Sequence, residues 1–580
     1  MNNTTACPLD CYDACSAVFD TGRLKGDPGH PVTQGHLCPH LNHFLEQERI
    51  GQPRYRGEPV SMEEALRILG ERLREAAPHN VLHYRGGGNM GVMQRATDHF
   101  FAGYGATLTR GSLCDGAGQA GIVEGRGASH ALSPEQIGKA EVVIVWGRNP
   151  HVTSPHLLPF LKGKTIIVID PVRTKMAESA DCHIQLKPNG DLYLALLLSR
   201  FLVIEGSEDK AFLQEFASEY EWFYEMTQSV RIKKVVDAID VTLGEIGKIL
   251  ELVVGKRTVI LTGIGIQKYT NGTTTMRAID AFAALLGLFG KEGCGVSYLG
   301  HSLAGVDLPF ETRAKRYETV VDTPFHEYEL VFIQGANPAS QMPDTARVLD
   351  SLSKAGEVVY FGLYENETSQ RADLVIPAKT FLGKDDVRSS YGSDRIQYAP
   401  MLRMEEQGIG EYELAERLCK AFQIAIPVEE ACIEQIMASA EPAEPGCFRV
   451  KGRQQPPYRD GFETDDGEFV FLEEVDYDFN LEEGLFLLTS KSPKSLNSQF
   501  RREAAAYAHP GLGFREGARV RISSSVGSVE LELRHDDRLR PDCVLIYSGT
   551  PGVNYLTPSR LSEAGENAVF QDEKIKVELC

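Results

Sequence analysis

Four thiols stand near the N-terminus as Cys7-x3-Cys11-x3-Cys15, followed after twenty-two residues by Cys38. Soft thiolates in groups of four hold zinc or an iron–sulfur cluster. A structural zinc site usually comes as two close pairs. Three thiols on one loop plus a distant fourth suit a cubane, because one loop can serve three of its corners. A zinc knuckle and unrelated buried thiols are the alternatives. The spacing predicts a [4Fe-4S] cluster held by Cys7, Cys11, Cys15 and Cys38.

Composition narrows the partners. The 580 residues carry 60 Lys plus Arg against 81 Asp plus Glu, a net charge of −21. That balance disfavours nucleic acid and anionic membranes, which call for concentrated positive charge. Twelve cysteines in so long a chain are no disulfide scaffold and suit a reducing compartment. The start, MNNTTACPLD, shows no basic or apolar leader segment. No run of about 18 apolar residues is present to span a bilayer. A cytoplasmic protein without a transmembrane segment is expected.

The elements that must position such chemistry follow in order. GEPVSMEEALRILGERLREAA reads as a helix, with Ser61 and Glu64 as a capping box and Ala65, Leu66, Leu69 and Leu73 as its apolar stripe. VLHYRGGGNMGV is a short apolar run ending in a glycine cluster. Strand, loop and helix then recur. AEVVIVW ends at Gly147-Arg148-Asn149-Pro150, TIIVID at Asp170-Pro171, RTVILT at Gly263-Ile264-Gly265 and YELVFIQ at Gly335-Ala336-Asn337-Pro338; VVYFG adds a fifth. Such alternation predicts parallel α/β domains, with ligands beyond the carboxyl ends of the strands. None of these loops is a full G-x-G-x-x-G fingerprint, and no P-loop occurs, which disfavours ordinary NAD or ATP binding. EYELAERLCKAFQ is an amphipathic helix whose Cys419 reads as core. Residues 433–483, with SAEPAEPG and QQPPYRDG, read as a linker. Beyond them LFLLTS, ARVRISSS, GSVELELR and DCVLIYSG have the alternation of a β-barrel.

Taken together, these motifs resemble the molybdenum/tungsten bis-pterin-guanine-dinucleotide oxidoreductases, which include formate dehydrogenases, nitrate reductases and polysulfide reductases. The resemblance runs from Cys7 to the C-terminus. It rests on the cysteine quartet, WGRNPHVTSP and QGANPASQMP, DPVRTKMAESAD, PNGD, and the TGIGIQKYTNGTTTMRAI…GLFGKEGCG block. ENETSQRADLVIPAKTFLGKDD, SYG, LLTSKSPKSLNSQF, EGARVRISSSVGSVE and NYLTP complete the set. It implies bis-molybdopterin guanine dinucleotide, molybdenum or tungsten, and a [4Fe-4S] cluster. The implied fold is an N-terminal cluster domain, Rossmann-like parallel α/β domains around the pterins, and a C-terminal barrel.

By that resemblance Gly147, Asn149, Asp170, Arg173 and Asp191 bind one dinucleotide, with Gly263 and Gly265 in a neighbouring loop. Gly335, Asn337 and the barrel residues Thr489, Ser498 and Asn554 serve the other site or both. The family's metal-ligand loop falls on Gly111-Ser112-Leu113-Cys114-Asp115-Gly116-Ala117-Gly118, so Cys114 is the implied ligand, with glycines that let backbone approach the pterins. Asp115 or a purely buried thiol is the alternative. The expected domains are 1–52 for the cluster, 53–125 with 325–432 and 126–324 for the pterins, a linker at 433–483, and a barrel at 484–580.

The sequence also departs from the family pattern. Formate dehydrogenases follow the metal-binding residue with His and carry an Arg in an LRGQNN-type stretch. Here Asp115 follows, and the later stretch reads SYLGHSLAGVD with His301. The Lys that often follows the fourth cluster Cys is replaced by Pro39-His40. Asp115, His301 and His40 are thus candidates for proton handling. Asp10 and Asp13, inside the cysteine loop, bring to mind the family's tungsten acetylene hydratase, although Asp13 is offset from the position after Cys11. The expectation is two-electron oxidoreduction of a small substrate, electrons passing through the cluster to a partner redox protein. The rivals are a non-redox hydratase and an electron-transfer subunit without pterin.

Overall fold

Runs of β-branched and large apolar residues build two parallel sheets. The computed structural model describes residues 3–87, 90–444, 447–475 and 483–580. Its chain divides into two compact units, each assembled from three segments. The first comprises Met1–Gly111, Ser302–Arg453 and Lys494–Arg502; the second comprises Ser112–His301, Gln454–Pro493 and Glu503–Cys580.

The first unit is centred on an eight-stranded sheet. Its order is Tyr317–Thr319, Thr107–Arg110, Val81–Arg85, Leu330–Gln334, Glu357–Gly362, Leu374–Pro377, Arg54–Tyr55 and Glu58–Pro59. Six strands run parallel and the last two form an antiparallel hairpin at one edge. Leu330–Gln334 and Glu357–Gly362 are buried at every residue, as central parallel strands must be. Helix Met62–Glu75 buries Ala65, Ile68, Leu69 and Leu73 in the same core, and Ser61 caps it by accepting from the Glu64 N–H at 3.1 Å. Helix Glu411–Phe422 packs there too, and Cys419 is a core thiol. A three-stranded antiparallel sheet (Thr4–Ala6, Ser16–Asp20, Arg23–Gly26) carries the first cysteine loop.

Residues 433–483 depart from the expected linker. Helix Glu429–Ala438 leads into strand Ala440–Glu444, the edge of a four-stranded antiparallel sheet with Cys447–Val450, Arg395–Ala399 and Asp386–Ser389. An edge strand tolerates Pro442, which has no N–H to give a second neighbour. Further on, Tyr458, Phe462, Phe469 and Phe471 are buried in the core of the second unit. Aromatic side chains overrode the local Pro and Gly signal. Residues 445–446 and 476–482 of that stretch, and Gly88 and Asn89 of the early glycine cluster, lie outside the described residues.

The second unit holds a five-stranded, wholly parallel sheet in the order Cys182–Ile184, Thr165–Ile169, Val142–Trp146, Thr258–Thr262 and Gly295–Ser297. Helix Asp191–Glu205 is buried continuously from Leu192 to Ser199, consistent with apolar residues on all its sides. A closed six-stranded barrel follows, in the order Leu485–Leu488, Cys543–Leu545, Ala505–Ala508, Ser528–His535, Arg519–Ser523 and Lys574–Leu579. Ser498, expected in the barrel, is not there. It lies between the short strands Ser495–Leu496 and Gln499–Phe500, in the excursion that belongs to the first unit. Leu496 and Phe500 draw that excursion away by packing with Cys7, Cys15 and Phe44. Among the described residues no helix is long and apolar enough to cross a membrane.

Candidate active site

In the second unit, candidate residues gather at the carboxyl ends of the parallel strands. Gly147 has φ +57°, and a Cβ on Gly263 would stand 2.0 Å from its carbonyl oxygen. A Cβ on Gly265 would stand 3.1 Å from the same oxygen. These glycines therefore let two adjacent strand-end loops close on each other. Two residues on, the Asn149 Oδ1 is buried and accepts no hydrogen bond among the described residues. Asp170 directly follows the next strand, Thr165–Ile169, and its carboxylate accepts from the Val172 N–H at 2.8 Å. Asp191 opens the long helix and accepts from the Trp146 Nε1–H at 2.7 Å.

Both carboxylates are recessed but still reached by solvent. Burial pushes Asp170 up to about 7, with the charge of Asp191 adding to it. Burial likewise pushes Asp191 up to about 6. Arg173 is exposed, and its N–H donates to the Arg538 carbonyl at 2.9 Å. In the barrel portion Thr489 and Asn554 are buried; Thr489 accepts from Gln571 Nε2, and the Asn554 Oδ1 accepts from the Thr557 hydroxyl at 3.2 Å.

Cys114 sits in a loop fixed from several sides of the same unit. Ser112 Oγ accepts from the N–H groups of Cys114 (2.9 Å) and Asp115 (3.0 Å). Gln267 Nε2 donates to the Cys114 carbonyl at 2.6 Å, while its Oε1 accepts from the Gly118 N–H at 3.0 Å. Asn567 Oδ1 accepts from the Gly116 N–H at 3.1 Å. The thiol itself is partly exposed and not disulfide-bonded.

The glycines that follow Cys114 make close contacts within the same unit. A Cβ on Gly116 would lie 2.5 Å from the Gly565 carbonyl, one on Gly118 2.9 Å from the Tyr298 ring, and one on Gly121 2.5 Å from the Thr273 carbonyl. They seat helix Gly116–Arg126 tightly in its surroundings. Asp115 is raised by burial, against the lowering effects of Ser112, Gln119 and the nearby His301. Cys114, Asp115 and His301 are thus brought into one neighbourhood. So is Lys268, which sequence reasoning missed. It is buried, lies 4.7 Å from the Phe570 ring centroid, and is pulled down to about 8 by burial and Lys491, with Cys114 acting the other way.

In the first unit, burial raises all four N-terminal thiols, to about 12 at Cys7. Their mutual charges add to the effect for every pair, so the quartet is one electrostatic group. Backbone N–H groups are aimed at the sulfurs. Asp13 donates to Cys11 Sγ at 3.3 Å, Leu9 to Cys7, and His40 and Leu41 to Cys38. Among the described residues no three His, Cys, Asp or Glu side chains converge tightly enough for a single metal ion. The His40 ring stacks on Phe500 with centroids 4.7 Å apart, and burial favours its neutral form.

Gly335 matches Gly147 in backbone, at φ +55°, yet the two Asn-Pro loops differ in what their asparagines do. Asn337 Nδ2 donates to Glu367 Oε2 at 2.8 Å, and its Oδ1 accepts from the Thr368 N–H and hydroxyl. Arg502 closes this clasp on Glu367 at 2.7 Å. Asn337 is therefore spent on holding its loop, where Asn149 Oδ1 is not.

The family profile described as "Molybdopterin oxidoreductase" matches residues 49–399. The chain belongs to the molybdopterin oxidoreductase family. The "Molydopterin dinucleotide binding domain" profile matches residues 509–572 within the barrel region. Among curated relatives of this molybdopterin oxidoreductase, the probable oxidoreductase YyaE of Bacillus subtilis (strain 168) is 29% identical, covering 80% of this chain and 77% of that protein. YoaE of the same organism, also a probable oxidoreductase, is 25% identical over 99% of this chain and 98% of its own length. Formate dehydrogenase H of Escherichia coli (strain K12) is 25% identical over 65% of this chain and 62% of its own. The solved acetylene hydratase from Pelobacter acetylenicus superposes with a TM-score of 0.80, covering all of both chains at 16% identity, which speaks to fold.

The residues present fit a pterin dinucleotide in chemical kind. An unspent buried amide oxygen at Asn149 and two recessed carboxylates, each accepting from a neutral N–H, offer acceptors for the N–H groups of guanine. Four thiols with N–H groups directed at sulfur likewise fit an iron–sulfur cluster.

Proposed function

We propose that this molybdopterin oxidoreductase carries a bis-molybdopterin guanine dinucleotide with molybdenum or tungsten and acts on a small substrate, with Cys114 as the protein ligand to the metal. When bound, that group supplies the two-electron chemistry. The observation that supports this reading most is the Cys114 loop, whose backbone is held by Ser112, Gln267 and Asn567 while its thiol stays accessible. A preset thiolate donor of this kind suits a soft metal. Asp170, Asp191 and Asn149 would accept from guanine. Lys268 would balance anionic charge near Cys114, and Asp115 or His301 would hold the proton exchanged with substrate.

Cys7, Cys11, Cys15 and Cys38 would hold a [4Fe-4S] cluster, through which electrons leave to a separate redox protein in a reducing, cytoplasmic setting. The substrate is small, but Asp115 and His301 stand where formate dehydrogenases have other residues, so formate is not assigned. One observation favours a second reading, a hydratase within the same family: Asp13 is buried inside the cysteine loop, and acetylene hydratase shares the fold.

The C114A variant tests the central assignment. It is expected to retain pterin, to lose one sulfur neighbour of the metal in X-ray absorption, and to lose turnover. An unchanged sulfur shell would remove Cys114 from the metal.

A further inference from the structure

The antiparallel strands Asp386–Ser389 and Arg395–Ala399 lie against the first cysteine loop. Gln397 Nε2 donates to the Thr5 carbonyl at 3.3 Å and to Ser16 Oγ at 2.9 Å. Just past the first of these strands, Ser390 Oγ donates to the Tyr12 carbonyl at 3.1 Å, and Gly392 leaves room for the Tyr12 ring, which a Cβ there would approach to 2.3 Å. Arg388 is directly opposite Gln397 in register, so the two side chains share a face, and that face is turned to the loop. The Arg388 guanidinium is 1% exposed and pairs with Asp386 at 3.1 Å. Asp386 is fixed in turn by the Met93 N–H at 3.1 Å. Gly91 is required beside it, since a Cβ there would stand 1.9 Å from the carboxylate.

We propose that Arg388 is a positioning residue of the electron path, a buried cation beneath the cysteine loop that raises the reduction potential of the cluster. This rests on the reading that the quartet holds a [4Fe-4S] cluster. Reduction adds one negative charge to a cluster already surrounded by thiolates. A guanidinium keeps its charge at all working pH values, and burial lets that charge act with little screening. Local charge and hydrogen bonding to sulfur are the levers by which a protein sets such potentials. Of the ion pair, Arg388 is the member whose charge favours the Cys7 thiolate, partly offsetting burial and the charge of Cys38. Asp386 serves to hold the guanidinium in place.

An EPR-monitored redox titration of the anaerobically purified holoprotein decides the matter, with R388K, R388Q and the double variant D386N/R388Q alongside. R388K is expected to keep its midpoint near that of the parent, because the charge stays. R388Q and the double variant are expected to shift it to lower potential. R388Q leaves Asp386 buried without its partner and can fail to fold; the double variant removes both charges and then carries the test. An intact cluster signal with an unshifted midpoint in the charge-removing variants overturns the role of Arg388. Absence of any [4Fe-4S] signal in the parent protein overturns the cluster reading, and this inference with it.

Discussion

Asp170 and Asp191 carry the most informative chemistry at the scale of single residues. In the unfolded chain they give up their protons in the ordinary carboxylate range, whereas in the fold they keep them up to about 7 and about 6. Between those limits the folded state binds more protons, so stability falls as pH rises from roughly 4 to 7. Cofactor-free protein should therefore melt lower at pH 8 than at pH 6. D170N should recover part of that loss, on the order of 2 °C, and should gain less at pH 6. Calorimetry across that pH range checks this; a D170N gain that does not vary with pH would contradict it. The same substitution should weaken retention of guanine dinucleotide in loaded protein, measured as GMP released on denaturation. Sequence marked Asp170 by its place at a strand end, and Asp191 only through the family resemblance. It could not tell Asn149 from Asn337, because whether an amide is spent depends on Glu367, Thr368 and the excursion that brings Arg502.

Among the elements, the strand-end loops decide whether the parallel sheets present their ligand groups. Gly263 is held by a neighbouring backbone 2.0 Å from its absent Cβ, and Gly335 only by its own φ of +55°. Gly263→Ala should destabilise by about 1–3 kcal/mol, the usual result of forcing a group into packed surroundings. Gly335→Ala meets open space and should cost only about 1 kcal/mol of left-handed strain. Gly335→Asn should cost less than Gly335→Ala. Urea midpoints of the three variants check that order, and equal losses would refute it. The strands themselves were legible, since Val142–Trp146, Thr165–Ile169, Thr258–Thr262, Leu330–Gln334 and Glu357–Gly362 are apolar runs that local composition defines. Ala440–Glu444 was not, because its pairing with Cys447–Val450 is set by tertiary context while Pro442 within it reads as loop. The close seating of helix Gly116–Arg126 was invisible for the same reason: a glycine's partner lies far away in sequence.

At the scale of the whole molecule, neither unit is a continuous stretch of chain. Strand Leu330–Gln334 is flanked by Val81–Arg85 on one side and Glu357–Gly362 on the other. A fragment of residues 302–453 keeps only one of those neighbours and lacks helix Met62–Glu75. It should stay unfolded, with amide exchange as fast as in a random chain; slow exchange over 330–334 would contradict this. The sequence disclosed the order of motifs and the barrel but not the crossings between units, which depend on Leu496, Phe500, Tyr458 and Phe469 finding distant cores.

The most direct test of the account is the metal and nucleotide content of anaerobically purified protein from a host that makes the pterin cofactor. The account expects about four Fe and about one Mo or W per chain, with about two GMP released on denaturation. Iron without Mo, W or GMP would contradict the catalytic reading and leave an electron-transfer subunit, and zinc in place of iron would contradict the cluster assignment.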